Sequence, residues 1–183
     1  MSRKYKFLNP DGLFFVTLTV VNWLDVFVKY SYRDIIVDNL KYCQENKGLL
    51  IHSWVIMTNH IHMIISRNKE PKCEEILRDF KKFTTKEIIR EIKESNENER
   101  NKLFLKVFSE FGSSNSNNVT YQFWIQDNHP IELLTKSMID QKLDYIHNNP
   151  VESGFVFEPH QYPYSSAIDY SGGKGMIDIV FLD

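Results

Sequence analysis

The sequence predicts an α+β fold: an antiparallel sheet with amphipathic helices packed on it. Three observations carry that prediction. The run Leu13–Val21 is apolar, β-branched and aromatic, as a central strand requires. Two further apolar runs, Leu49–Met57 and His60–Ser66, are separated only by Thr58-Asn59, so they read as the arms of an antiparallel hairpin. Ser31–Lys47 and Cys73–Lys93 repeat apolar residues at helical spacing instead.

Each element follows from its residues. Pro10-Asp11-Gly12 is a turn signal before the first strand. In that strand Val16, Leu18 and Val20 share one face and Phe15, Thr17 and Thr19 the other. The aromatic-rich stretch Trp23–Tyr30 reads as a connection that covers the sheet. Ser31 is the expected cap of the first helix, whose stripe is Ile35, Ile36, Leu40 and Cys43, and Lys47-Gly48 marks its end. The helix Cys73–Lys93 turns Ile76, Leu77, Phe80, Phe83, Ile88, Ile89 and Ile92 inward. Along it Arg78, Lys82, Lys86 and Arg90 recur every fourth residue and form a basic ridge. With Asp79, Glu87 and Glu91 nearby, that ridge is either a solvated helix face or a DNA-binding track for a phosphate backbone.

Lys102–Phe111 reads as a further amphipathic helix and Gly112–Asn118 as a loop. Val119–Gln126 is the expected fourth strand, with Trp124 either stacking on a base or, the better fit, packing in the core. Thr135–Asn148 is the last main helix, and Pro150 is expected to end it because the residue before a proline is pushed out of helical geometry. The tail Val151–Asp183 is expected to wrap the body irregularly, with Met176–Leu182 as a short edge strand.

The totals fit one domain over residues 1–183, with a core of about 12–150 and a C-terminal tail of 151–183. Hydrophobic residues make up 42% and aromatics 14%, enough for a substantial core. A formal net charge of -2 argues against a non-specific nucleic-acid coat protein and leaves room for a local basic patch. Cys43 and Cys73 form no CxxC and read as buried thiols in a reducing compartment. The basic start Met1–Lys6 is followed by no long apolar segment, and Leu13–Val21 is too short to span a bilayer as a helix. A cytoplasmic protein with no membrane partner is expected.

The chemistry concentrates in two places. His60 and His62 are two apart on a strand, so their imidazoles share a face with Ile64, while Ile61, Met63 and Ile65 face a core. Two such imidazoles are either structural or two ligands to one divalent metal. Tyr145 and Asn149 are four apart on the last helix and therefore share a face. A helix packed on the sheet can bring a phenol and an amide oxygen to the histidine pair. A metal polarises a phosphate, and a tyrosine beside it can attack the phosphorus and conserve the phosphodiester energy in a covalent intermediate. On spacing alone, Tyr145 reads sooner as a surface or half-buried aromatic on an amphipathic helix. His147 reads as an exposed helix histidine, and His52 and His129 as structural.

Met57-Thr58-Asn59-His60-Ile61-His62 and Tyr145-Ile146-His147-Asn148-Asn149-Pro150-Val151 together resemble the IS200-like tyrosine transposases, most closely the REP-associated branch. The resemblance runs from about Gly12 to Tyr170. It implies an RRM-like or ferredoxin-like sheet and an HUH-type single-strand DNA endonuclease and strand transferase. In it His60, His62 and Asn149 are metal ligands for Mg²⁺ or Mn²⁺, and Tyr145 is the nucleophile. The implied products are a 5′-phosphotyrosine link and a free 3′-OH. The implied partner is single-stranded DNA with hairpin structure, bound by a monomer or a homodimer. Two other functions suit the same residues: a domesticated DNA-hairpin-binding protein without cleavage, and a metal-dependent hydrolase in which Tyr145 is a bystander.

Overall fold

A computed structural model of the chain describes residues 7–68, 70–95, 98–114 and 120–182. Among the described residues four strands build one antiparallel sheet: β1 (Phe14–Thr19), β2 (Leu49–Ile56), β3 (His60–Arg67) and β4 (Ile131–Glu132), in the spatial order β2-β3-β1-β4. Among the described residues the α-helices are α1 (Tyr30–Lys47), α2 (Cys73–Glu94), α3 (Glu99–Ser113), α4 (Lys136–Glu152) and the short α5 (Ala167–Tyr170). The α+β architecture expected from the sequence is the one observed.

The register decides which residues meet. Thr17 lies opposite His62 and Thr19 opposite His60 across β1–β3, while Val55 lies opposite His62 across β2–β3. Opposed residues share a face. One face therefore carries Phe15, Thr17, His60, His62, Val55 and Ser53. The other carries Phe14, Val16, Leu18, Trp54, Ile56, Ile61, Met63 and Ile65, none more than 1% exposed. Each such burial contributes about 1.5–3 kcal/mol, so this face anchors the sheet. Helices α1 and α2 pack on each other and on the sheet, and α4 meets β2 and β3 at the histidine-bearing face.

α1 ends where the sequence predicts, with Gly48 at φ 69 and its N–H bonded to Cys43 O. Its start differs. Lys29 occupies the cap position without capping the helix through its side chain, and both its ammonium and the Ser31 hydroxyl instead donate to Glu91 on α2. Pro150 does not end α4, which continues to Glu152. Pro150 lies in the last turn, so its missing N–H removes one bond near the helix end, and Ser153 N closes on Asn149 O at 3.0 Å. Asn149 consequently stays helical.

The expected fourth strand is displaced. Trp124 makes only an isolated bridge to Val20, and the paired strand is Ile131–Glu132, opposite Phe15 and Phe14. The buried ammonium of Lys81 explains the irregularity. It donates to Ile125 O (2.6 Å), Gln126 O (3.1 Å) and Asn128 Oδ1 (2.6 Å), which draws these oxygens toward α2. Trp124 itself is buried as expected, with Nε1 donating to Thr84 Oγ1 at 3.0 Å. The predicted loop Gly112–Asn118 begins inside α3, and its residues 115–118, like Val119 and the basic segment 1–6, lie outside the described residues.

The tail covers the open edge of β2. Tyr164 O accepts from Ile56 N, Ser166 N donates to Trp54 O, and Ser165 bridges Val55. Met176–Leu182 forms no strand; Val180 N donates to Ile51 O, and Val180 O meets His52 Nδ1 at 2.8 Å, beside the irregularity in β2 between Ile51 and Ser53. A bulge there interrupts the ladder a regular edge strand needs. Cys43 and Cys73 are free, buried thiols, both pushed up to about 11 by burial. No helix among the described residues is long and apolar enough to cross a membrane.

Candidate active site

The site is built from three elements, β1, β3 and α4. β3 presents His60 and His62 on one face, their ring centroids 4.6 Å apart. α4 crosses that face and brings Tyr145 to them. The Tyr145 hydroxyl lies 3.3 Å from His62 Nε2, and the two rings meet edge-on at 5.1 Å. β1 supplies Thr17, whose Oγ1 is hydrogen-bonded to His62 Nδ1 at 2.9 Å, and Phe15, which stacks on His62 at 5.4 Å. Lys142, one turn before Tyr145, lies 4.6 Å from the Phe15 ring centre and 5.5 Å from that of Tyr145.

The hairpin turn holds His60. His60 Nδ1 donates to Asn59 Oδ1 at 2.7 Å. The direction of that amide is set by its other end, because Asn59 Nδ2 donates to Asp25 Oδ1 (3.0 Å) and to Trp23 O (3.3 Å). Thr58 Oγ1 also donates to Asp25 Oδ1, at 2.6 Å. His60 Nε2 is thereby left as a lone pair. Burial lowers His60 to about 4. Burial, then the neighbouring His60 and Lys142, lowers His62 to about 3. Both imidazoles are neutral at pH 7, the form that ligates a metal. With both Nδ1 atoms engaged, the Nε2 atoms are the ones offered to a cation, an arrangement in which the partner of the second nitrogen fixes ring orientation.

Asn149 is buried, one helical turn beyond Tyr145, and its side chain has no hydrogen-bond partner among the described residues. No group of three His, Cys, Asp or Glu side chains gathers anywhere among the described residues. A third protein ligand beside the two histidines must therefore be of another type, and an uncommitted amide oxygen fits a hard divalent cation. Two neutral imidazoles and an amide oxygen are donor types that such an ion accepts.

More than half of the chain, residues 22–128, matches the sequence model of the IS200-like transposases. The chain belongs to that family. The matched span includes His60 and His62 and ends before α4. The transposase also shares its fold with a solved structure of a REP-associated tyrosine transposase bound to a REP hairpin. The TM-score is 0.66 at 17% identity, over 100% of this chain and 96% of that one. No curated protein matches.

The structure thus brings together His60, His62 and Tyr145, as the sequence led one to expect. It does not bring the basic ridge to them. Arg78, Lys82, Lys86 and Arg90 are exposed on α2, where Arg78 pairs with Asp79 and Arg90 with Glu87. His147 is not an exposed histidine. Its Nε2 meets Ser166 Oγ at 3.0 Å and Ser53 Oγ at 3.2 Å, and burial lowers it to about 4. His52 is structural, held between Ser66 Oγ and Val180 O. Sequence reading missed Thr17, Asn59, Asp25 and Lys142 as members of the site. The alternation of β1 placed Thr17 on the correct face, but only the strand register shows that it meets His62.

Proposed function

We propose that this transposase nicks and rejoins single-stranded DNA through a 5′-phosphotyrosine intermediate. One observation carries the reading: the Tyr145 phenol lies 3.3 Å from His62 Nε2, so a nucleophile from α4 and a ligand nitrogen from β3 share one small space. His60 and His62, with Asn149 as third ligand, would hold a divalent cation. Bound there, Mg²⁺ or Mn²⁺ polarises the phosphate and stabilises the leaving oxygen. The nitrogen-rich donor set suits Mn²⁺ at least as well as Mg²⁺.

The chain's own residues supply the rest. Tyr145 Oη gives up its proton as it attacks phosphorus, the P–O3′ bond breaks, and the departing oxygen takes up a proton in exchange to become a 3′-OH. Tyr145 then carries the 5′-phosphate. A 3′-OH attacking the same phosphorus reverses the step, releases the phenol and joins the strands. Lys142 puts a positive charge beside the nucleophile, where the phosphate must come. Thr17 and Asn59 keep the two imidazoles aimed. The substrate is single-stranded DNA flanking a hairpin, in keeping with the REP hairpin bound by the structural neighbour; α2's basic ridge is a secondary phosphate contact.

A denaturing gel tests the reading with labelled hairpin oligonucleotides carrying single-stranded flanks, in Mn²⁺ or Mg²⁺. The expected result is a metal-dependent covalent protein–DNA adduct that disappears in both Tyr145→Phe and His62→Ala. Cleavage without adduct, unaffected by Tyr145→Phe, moves the function to metal-dependent hydrolysis. Hairpin binding with no product on any flank moves it to DNA binding alone.

A further inference from the structure

We propose that Trp23 is a stacking platform for one base of the single-stranded DNA, the base beside the phosphate that the histidines and Tyr145 engage. This rests on the cleavage reading above. Trp23 is 60% exposed, whereas Trp54 and Trp124 are 0% and 4% exposed. Its ring centroid lies 6.0 Å from that of His60, edge-on, so the indole stands at the rim of the site.

The backbone shows that this position is imposed. Asn22 and Trp23 both take left-handed dihedrals, with φ 55 and φ 53. Asparagine tolerates that region, but a side chain of tryptophan's bulk rarely adopts it, and holding Trp23 there costs free energy that the surroundings must offset. The surroundings are the hairpin turn itself. Trp23 O accepts from Asn59 Nδ2, the same amide whose oxygen orients His60. Asp25 ties the loop to Thr58 and Asn59, and Arg100 Nη2 donates to Asp25 O at 2.6 Å. Val21 and Phe27, on either side, are buried anchors. One network thus fixes a metal-ligand candidate and an outward-facing indole together. Single exposed apolar residues are common and need no function; a strained one clamped to the site is different. An open aromatic face accepts any base, because stacking does not depend on base identity.

The test uses the full chain carrying Tyr145→Phe, so that binding is read without cleavage, and a hairpin oligonucleotide with single-stranded flanks. As the exposed tryptophan of the three, Trp23 dominates the solvent-exposed part of the emission, and that part is expected to be quenched on binding. Trp23→Ala is expected to weaken binding about 5- to 100-fold, and Trp23→Phe to stay within about threefold of the parent. An abasic scan along the flank should find one position whose loss weakens the parent by a similar factor and leaves Trp23→Ala unaffected. Unchanged affinity of Trp23→Ala, or abasic losses equal in both proteins at every position, overturns the proposal. The two readings fail separately. An adduct on Tyr145 together with a silent Trp23→Ala keeps cleavage and removes the platform. A Trp23-dependent abasic position with no adduct in the Tyr145 protein keeps the platform and removes cleavage.

Discussion

At the scale of single residues, the site depends on side chains that touch no substrate. Thr17 is one. Its hydroxyl meets His62 Nδ1 inside the sheet, and His62 is 6% exposed, so no water replaces that partner easily. Thr17→Val keeps the shape and removes the hydrogen bond. It leaves the buried Nδ1 unpaired, which is expected to cost about 1–3 kcal/mol of stability in urea unfolding. It also frees the ring to choose its tautomer, and metal affinity is expected to fall about 10- to 100-fold, as loss of such a partner does elsewhere. Mn²⁺ titration of the protein in the absence of DNA reads this directly, and Thr17→Ser is expected to recover most of it. Equal Mn²⁺ affinity in Thr17→Val and the parent would mean that His62 is not oriented through Thr17. Residues of this kind escape a sequence reading for a plain reason. Alternation tells which face Thr17 occupies, but its partner lies 45 residues away, and only the strand register joins them. Asn59 was legible as a turn residue; its grip on His60 depends on Asp25, which no local pattern links to it.

At the scale of elements, strands and helices with strong periodicity were legible, and those shaped by a long-range partner were not. β1, the β2–β3 hairpin and α2 stand within a residue or two of the expected bounds, because their apolar patterns match the faces they bury. Val119–Gln126 carry the alternation of a strand, yet Lys81 captures the carbonyl oxygens of Ile125 and Gln126, and the pairing resumes at Ile131. α4 outlasts Pro150 because the proline falls in the final turn, where one lost bond matters little. Another long-range contact has a consequence for pH. His147 on α4 is wedged between Ser53 of β2 and Ser166 of the tail, and burial holds it at about 4 against an ordinary 6.5. Below pH 6.5 the unfolded chain takes up a proton that the folded chain refuses until near pH 4. Stability must therefore fall as pH falls through that window. His52, lowered by burial and partly restored by its bond to Val180, acts in the same direction, as do the buried His60 and His62 when no metal is bound. In metal-free buffer the urea midpoint is expected to decline between pH 7 and pH 4.5, and His147→Gln to make that decline shallower by the share His147 contributes. An equally steep decline in the variant would place the acid sensitivity elsewhere.

At the scale of the whole molecule, the question is which chain's tyrosine serves which chain's histidines. α4 lies on the sheet of its own chain, and Tyr145 meets His62 within it. The tail that follows α4 returns immediately to β2. Ser166 Oγ accepts from Trp54 N at 2.9 Å, Tyr162 Oη donates to Ile56 O at 2.9 Å, and Tyr164 Oη donates to Asp34 on α1 at 2.9 Å. The chain on the far side of α4 is thus bonded to the same sheet that α4 covers, and it also shields the edge of β2 from pairing with another copy. Moving α4 to a second subunit would break the His147 contacts and pull on this strap. A tyrosine that serves the histidines of its own chain is therefore the expected arrangement. Mixing Tyr145→Phe protein, which keeps the histidines, with His62→Ala protein, which keeps the tyrosine, is then expected to yield no covalent adduct at any ratio. The specific activity of the parent is expected to stay constant on dilution to concentrations at which sedimentation shows only monomer. Adduct recovered in the mixture, carried by the His62→Ala chain, would show that tyrosines are exchanged between subunits, and the strap would then have to open before catalysis.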